Sequence, residues 1–218
     1  MKKILVYPSI LSGDFGCLAE EAKRIEKAGA DGIHIDIMDG HFVPNLTLGP
    51  KAVAAINRAT SLFLDVHIMV YNPYDYIEAL VASGADRITF HFESTEDVEE
   101  TIEFIQKCNV QVGLSFRPET SFSMMPKFLP VCDLVLLMTV NPGFGGQAFM
   151  PEVLEKVSLT KEFCDRNKLK TLIQVDGGIN QETAKAAVKA GANVLVSGDY
   201  LFRQAPSLAK GIQTLKAS

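Results

Sequence analysis

The sequence predicts an α/β fold in which one closed (β/α)8 barrel, a TIM barrel, takes up residues 1–218 as a single domain. Three observations carry that reading. Short apolar runs of strand length, eight in all, alternate with stretches of helical periodicity, and parallel strands need crossovers of this kind. Three helical stretches close alike, at Ala28-Gly-Ala-Asp31, Ser83-Gly-Ala-Asp86 and Ala190-Gly-Ala-Asn193, where Gly can take the left-handed conformation that ends a helix. A length of 218 residues suits one barrel, and no Pro/Gly/Ser-rich linker or shift of composition divides the chain. A doubly wound open sheet is the alternative for such an alternation.

The first strand is expected at Ile4–Ser9, followed by a helix over Cys17–Ala28. The second, Gly32–Met38, alternates without a break: Ile33, Ile35 and Ile37 fall on one side, His34, Asp36 and Met38 on the other. The aliphatic side is what a strand packed under a helix needs. The other side is an odd set to bury, because buried polar groups need partners and buried charges need pairing or a metal. Strands three to eight are read at Leu62–Met69, Asp86–His91, Val110–Phe116, Leu134–Val140, Thr171–Asp176 and Asn193–Ser197. Helices are read at Pro73–Ser83, Glu96–Lys107, Pro151–Asn167 and Gln181–Ala190, with starts marked by Asn72-Pro73, Met150-Pro151 and Asn180.

Composition excludes several functions. Hydrophobic residues make up 47% of the chain, enough for a substantial core and too many for disorder. The net charge is −5 and the basic residues are scattered, which leaves no electrostatic footprint for nucleic acid or an anionic membrane. Lys2 and Lys3 before Ile4-Leu-Val-Tyr7 mimic a signal peptide, but Pro8 and Asp14 cut the apolar stretch short. No stretch approaches the ~20 apolar residues of a membrane span. Cys17, Cys108, Cys132 and Cys164 form no CxxC pair and none has a base beside it, which fits reduced thiols in the cytoplasm.

In a barrel, reactive groups sit at the carboxyl ends of strands and in the loops that follow. Strand two ends in His34, Asp36 and Met38; strand three puts Asp65, His67 and Met69 on one face; strand six ends at Met138; strand seven ends at Asp176. His34, Asp36, His67 and Asp176 can therefore converge. Two imidazoles and two carboxylates suit a divalent transition metal, Zn²⁺ or Fe²⁺ rather than Mg²⁺ given the nitrogen donors. The same residues also fit buried polar pairs that stabilise a barrel interior. His91 ends strand four and His41 lies in a loop; neither is given a ligand role.

Glycine clusters at Gly143-Phe-Gly-Gly146 and Gly177-Gly178 follow strands six and seven. Glycine lets the backbone approach a ligand and point N–H groups at an anion, and phosphate sites in barrels form near the last strands. Neither a dinucleotide fingerprint nor a Walker motif is present. Met38, Met69 and Met138 are expected to point inward at one level, either as core filler or as a polarizable, water-poor cap over a reactive intermediate.

Five blocks, Pro8-Ser-Ile-Leu-Ser12, His34-Ile-Asp-Ile-Met-Asp-Gly-His-Phe-Val-Pro-Asn45, Asp65-Val-His-Ile-Met69, Val140-Asn-Pro-Gly-Phe-Gly-Gly-Gln147 and Val175-Asp-Gly-Gly178, resemble the ribulose-phosphate 3-epimerase family, in the family's order and over nearly the whole chain. The resemblance implies a (β/α)8 barrel that interconverts D-ribulose 5-phosphate and D-xylulose 5-phosphate, a step of the pentose phosphate pathway in the cytoplasm. It implies that His34, Asp36, His67 and Asp176 bind a divalent metal, Zn²⁺ first and Fe²⁺, Mn²⁺ or Co²⁺ next, and that Asp36 and Asp176 are the catalytic acid–base pair. Ser9, His67 and Asp176 would contact the phosphorylated ketose. Gly143, Phe144, Gly145, Gly146, Gly177, Gly178, Gly198 and Asp199 would hold it at the phosphate end. Met38, Met69 and Met138 would cap the intermediate, and the chain would form a homo-oligomer.

That chemistry is coherent. Epimerisation beside a ketone removes a proton from one face and returns one to the other, through an enediolate, so two opposed carboxylates can each be base in one direction and acid in the other. A metal would stabilise the developing charge. Two positions depart from the family. Asp199 stands where the family carries Ser, and two unit charges ~4 Å apart repel by roughly 1 kcal/mol even in bulk water. Arg117, in Ser115-Phe-Arg-Pro118, stands near the family's Asn-Pro. These departures keep open a 3-epimerase for another phosphorylated ketose, such as allulose 6-phosphate. A catalytically silent sugar-phosphate-binding barrel is the other alternative, and intact Asp36 and Asp176 count against it.

Overall fold

The computed structural model describes residues 3–218. Its strands, β1 (Leu5–Pro8), β2 (Gly32–Met38), β3 (Phe63–Met69), β4 (Arg87–His91), β5 (Gln111–Phe116), β6 (Leu134–Met138), β7 (Leu172–Asp176) and β8 (Val194–Ser197), form one parallel sheet in the order β1-β8-β7-β6-β5-β4-β3-β2. The sheet closes on itself between β1 and β2. There Ser9 bridges to His34, the Asp31 N–H donates to the Val6 carbonyl at 3.1 Å, and the Val6 N–H donates to Asp31 Oδ2 at 3.0 Å. The barrel expected from the alternation is the barrel formed.

Among the described residues seven α-helices surround it: α1 (Leu18–Lys27), α2 (Pro50–Asn57), α3 (Ile77–Ala82), α4 (Val98–Lys107), α5 (Val153–Arg166), α6 (Gln181–Ala190) and α7 (Leu208–Lys216). Between them and the sheet lies the larger apolar core, which takes Ile33, Ile35 and Ile37 from β2 and Ile25 and Ile56 from α1 and α2. Each such side chain removed from water stabilises the fold by about 1.5–3 kcal/mol. A smaller apolar cluster, Tyr7, Leu134, Leu136, Met138, Val140 and Val194, fills part of the lumen. Most of the rest of the lumen is polar: His34, Asp65, His67, Arg87, Thr89, His91, Ser115 and Gln174 are all at most 1% exposed. Among the described residues no helix is long and apolar enough to cross a membrane.

Helix ends show what local chemistry dictates. Gly29, Gly84 and Gly191 adopt φ of +81°, +93° and +122°, so the repeated Gly-Ala pair is a backbone requirement. Asn180 caps α6 by accepting from the Glu182 and Thr183 N–H groups. Asn72 does not cap: it sits at φ +50°, and Pro73–Tyr76 winds as a 3-10 turn before α3, so the helix expected over Pro73–Ser83 is split. The helix expected from Pro151 begins at Val153. Helices α2 and α7 were not anticipated. The segment between β5 and β6 carries no α-helix, only a 3-10 turn at Phe122–Met124.

Candidate active site

Register is what builds the site. In the β2–β3 pairing His34 stands beside Asp65, Asp36 beside His67 and Met38 beside Met69, while Met138 of β6 pairs with Asp176 of β7. Because side chains of in-register parallel neighbours point the same way, each pair sits at one height in the lumen. Along β2 and β3 the lowest pair joins His34 to the Asp65 carboxylate, the next is Asp36 with His67, and the highest is the apolar Met38 with Met69.

His34, Asp36, His67 and Asp176 each offer one ligand atom, and the four atoms lie within 4.8 Å of one another. His34 Nε2 is 3.3 Å from Asp36 Oδ1, 3.4 Å from His67 Nδ1 and 3.8 Å from Asp176 Oδ2. His67 Nδ1 is 3.2 Å from Asp36 Oδ1. The second Asp36 oxygen accepts the Ser9 hydroxyl at 2.6 Å. The cluster expected from strand ends far apart in the chain is therefore assembled, and it could hold a divalent metal.

Electrostatics fit such an ion. Burial alone would raise the Asp36 carboxyl, yet the His34 charge and the hydrogen bond from His34 hold it well below the usual range. Burial, and then the Asp36 charge, push Asp176 up to about 7. One carboxylate is thus stable here and the second is not, unless positive charge stands between them. Burial opposes charge on His34, but Asp36 and Asp65 outweigh it and its pKa is raised well above normal.

Above the donors a cavity of about 260 Å³ opens at the carboxyl ends of the strands. Ser9, Asp36 and Asp176 lie at its floor with Met38, Met69 and Met138, which are at most 5% exposed. His34 and His67 lie behind the floor; neither lines the cavity. Its far wall carries Gly143, Phe144, Gly145, Gly146, Gly177, Gly178, Gly198 and Asp199, every member of the expected phosphate end. Asn45 Nδ2 donates to the Gly143 carbonyl at 2.8 Å, tying the loop after β2 to the loop after β6. A Cβ at Gly198 would come within 2.4 Å of Ser12 Oγ, so a side chain there would require the Ser12 hydroxyl to turn aside.

Both departing positions have partners within the chain. Asp199 Oδ1 accepts from Arg203 Nη1 at 2.7 Å and Oδ2 accepts from Gln204 Nε2 at 2.6 Å, so both carboxylate oxygens are engaged within one turn. Arg117 is not a free surface charge: its Nη2 donates to the Phe42 carbonyl at 3.1 Å and its guanidinium lies 4.3 Å above the Phe42 ring.

A model of the ribulose-phosphate 3-epimerase family matches residues 5–202. The chain belongs to that family. A ribulose-phosphate 3-epimerase of Chlamydia pneumoniae is 55% identical over 214 residues, covering 96% of this chain and 93% of the relative. One from Bacillus subtilis is 46% identical over 216 residues and 99% of both chains. A tryptophan synthase α-subunit variant from Pyrococcus furiosus shares the fold at a TM-score of 0.70 and 16% identity, covering 100% of this chain and 97% of that one.

This epimerase-family chain also surrounds its site with residues that the sequence reading passed over. Asp65 was placed on the inward face without a role. Its Oδ2 accepts from His34 Nδ1 at 2.8 Å and from Gln174 Nε2 at 2.6 Å, and its Oδ1 accepts from Arg87 Nε at 2.8 Å. His91, at the end of β4, is not a bystander either: its Nε2 lies 2.9 Å from His67 Nε2. The signal was present as strand parity, because Arg87, Thr89 and His91 alternate with the apolar Ile88 and Phe90.

Proposed function

We propose that this chain, acting as one barrel domain, is an isomerase that interconverts D-ribulose 5-phosphate and D-xylulose 5-phosphate by two-base proton transfer. The observation that carries the reading is the convergence of Asp36 and Asp176 at the floor of one cavity beside two imidazoles. His34, Asp36, His67 and Asp176 would hold a divalent metal, with Zn²⁺ favoured by the two nitrogen donors. When bound, that metal would supply positive charge against the charge that builds on the substrate oxygens.

The chain's own residues do the rest. One carboxylate takes the proton at C3 from one face and the other returns a proton to the opposite face, the roles exchanging with direction. The Ser9 hydroxyl donates to Asp36 Oδ2, orienting the carboxylate it touches. Met38, Met69 and Met138 keep water from the planar enediolate, where protonation at the wrong carbon would waste a turnover. Backbone N–H groups of the glycine-rich wall would receive the phosphate. The chain would work in the cytoplasm and as a homo-oligomer, as the sequence resemblance implies.

Metal-stripped protein reloaded with Zn²⁺, Mn²⁺ or Co²⁺ should turn over ribulose 5-phosphate and lose that activity on chelation. Absence of turnover with all three ions would sink the reading. Faster turnover of allulose 6-phosphate in the same assay would move the substrate to a hexulose phosphate. Asp199 bears on that choice, but its pairing with Arg203 and Gln204 argues against strong repulsion of phosphate. Such an exposed pair contributes at most about 1 kcal/mol. Asp199→Ser should therefore change KM by no more than about fivefold with kcat unaltered. A larger fall in KM would show that the carboxylate does oppose the phosphate.

A further inference from the structure

The two ring nitrogens of His67 meet different surroundings. Nδ1 faces the donor cluster, 3.2 Å from Asp36 Oδ1. Nε2 points away from it, 2.9 Å from Nε2 of His91, with the two rings stacked at a centroid distance of 5.0 Å. His91 Nδ1 lies 3.2 Å from Glu93 Oε2. Glu93 is itself anchored: its Oε1 accepts from the Arg117 N–H at 3.0 Å and from the Thr120 hydroxyl. Both imidazoles are fully buried, so water supplies no alternative partners.

A neutral imidazole has one donor and one acceptor nitrogen, which makes the hydrogen bonds along this chain depend on one another. The Glu93 carboxylate can only accept, so the proton of His91 sits on Nδ1. Nε2 of His91 is then bare and accepts, so the proton of His67 sits on Nε2. Nδ1 of His67 is then left with its lone pair facing the cluster, where Asp36 Oδ1 stands 3.2 Å away and a cation is needed between the two. Had Glu93 been a donor, every bond would reverse and the proton of His67 would block the donor position.

We propose that Glu93 and His91 are positioning residues that fix His67 as an Nδ1 donor, so that metal affinity depends on a carboxylate outside the donor cluster. This rests on the metal-site reading given above. The other histidine is held by the Asp65 carboxylate directly, whereas His67 reaches its carboxylate only through a second imidazole. Removing partners that orient a ligating histidine typically weakens metal binding 10- to 100-fold.

Two variants test it. In Glu93→Gln, an amide nitrogen facing His91 opposes a second donor, and an amide oxygen facing His91 gives up the bonds from Arg117 and Thr120. His91→Phe keeps a ring against Phe42, whose centroid lies 5.0 Å away, but leaves the His67 Nε2–H without an acceptor. Co²⁺ is titrated into metal-stripped full-length protein, with affinity read by chelator competition and coordination by visible absorption. Both variants should bind Co²⁺ about tenfold or more weakly, with altered absorption bands, while metal-free Glu93→Gln still unfolds in one cooperative transition. Wild-type affinity and spectrum in the folded variants would overturn the positioning role and leave the metal site standing. Failure of the wild-type protein to bind Co²⁺ would overturn the metal reading and the proposal with it. A measurement that needs no variant is ¹⁵N NMR of the histidines in wild-type protein loaded with diamagnetic Zn²⁺. It should show His91 protonated at Nδ1 and His67 at Nε2, and a proton on Nε2 of His91 would overturn the proposal.

Discussion

Asp176→Asn should lower kcat by about 10²- to 10⁴-fold, the usual contribution of a positioned acid–base group, while the barrel stays folded. The amide keeps the size of a side chain that is 17% exposed at the cavity floor but can neither take nor give the proton. Metal-free stability gives an independent check on its environment. The Asp176 pKa of about 7 lies above the ordinary value of 3.8, so between those limits the native state holds a proton that the unfolded chain has released. Stability therefore falls as pH rises from about 4 to about 7, and the Asn variant should lack that slope. Exchange with solvent separates a two-base scheme from a one-base scheme. At saturating metal in D₂O, Asp176→Asn should exchange the C3 proton of one pentulose phosphate without converting it, and Asp36→Asn that of the other epimer. If both variants exchanged the same epimer, the assignment of one carboxylate to each face would be wrong.

How much of this was legible beforehand follows from what the lumen demands. The β2 strand was readable to the residue, because strict alternation of Ile33, Ile35 and Ile37 with His34, Asp36 and Met38 has no other use. Gly191 and Asn180 fixed the limits of α6, because a left-handed closure and a side-chain cap are local chemistry. Helix α2 escaped because Pro50–Asn57 is only eight residues long and follows a long loop that reads as turn. At Asn72-Pro73 the first turn winds as a 3-10 segment, and only the tertiary setting decides that. The four candidate metal donors could be gathered because each lies on the inward face of a strand. Glu93 could not: it lies in the 3-10 turn after β4 and matters only through its contact with His91. Arg87 was hidden for a different reason. It opens β4, where a charged residue reads as a strand-end surface group, yet it is 1% exposed.

Arg87→Met should cost about 3–5 kcal/mol of stability, the penalty for stranding one member of a buried ion pair. Arg87 Nε donates to Asp65 Oδ1 at 2.8 Å, and its guanidinium lies 5.0 Å from the Phe63 ring and 5.6 Å from the Tyr7 ring. Burial opposes charge on Asp65, and the Arg87 charge followed by the His34 contacts holds its carboxyl far below the usual range. Without Arg87 the carboxylate keeps His34 and Gln174 but loses its permanent cation. For a chain of this size each kcal/mol shifts Tm by about 2–4 °C, so the variant should melt roughly 6–20 °C lower. The measurement belongs on metal-stripped protein, where loss of a bound ion cannot contribute. Asp65→Asn combined with Arg87→Met should melt above Arg87→Met alone, because the pair leaves no charge stranded. An equal or larger loss in the double variant would place the cost in the packing of the guanidinium between Tyr7 and Phe63. A Tm change of under about 2 °C in Arg87→Met would mean that His34 alone suffices as counterion to Asp65.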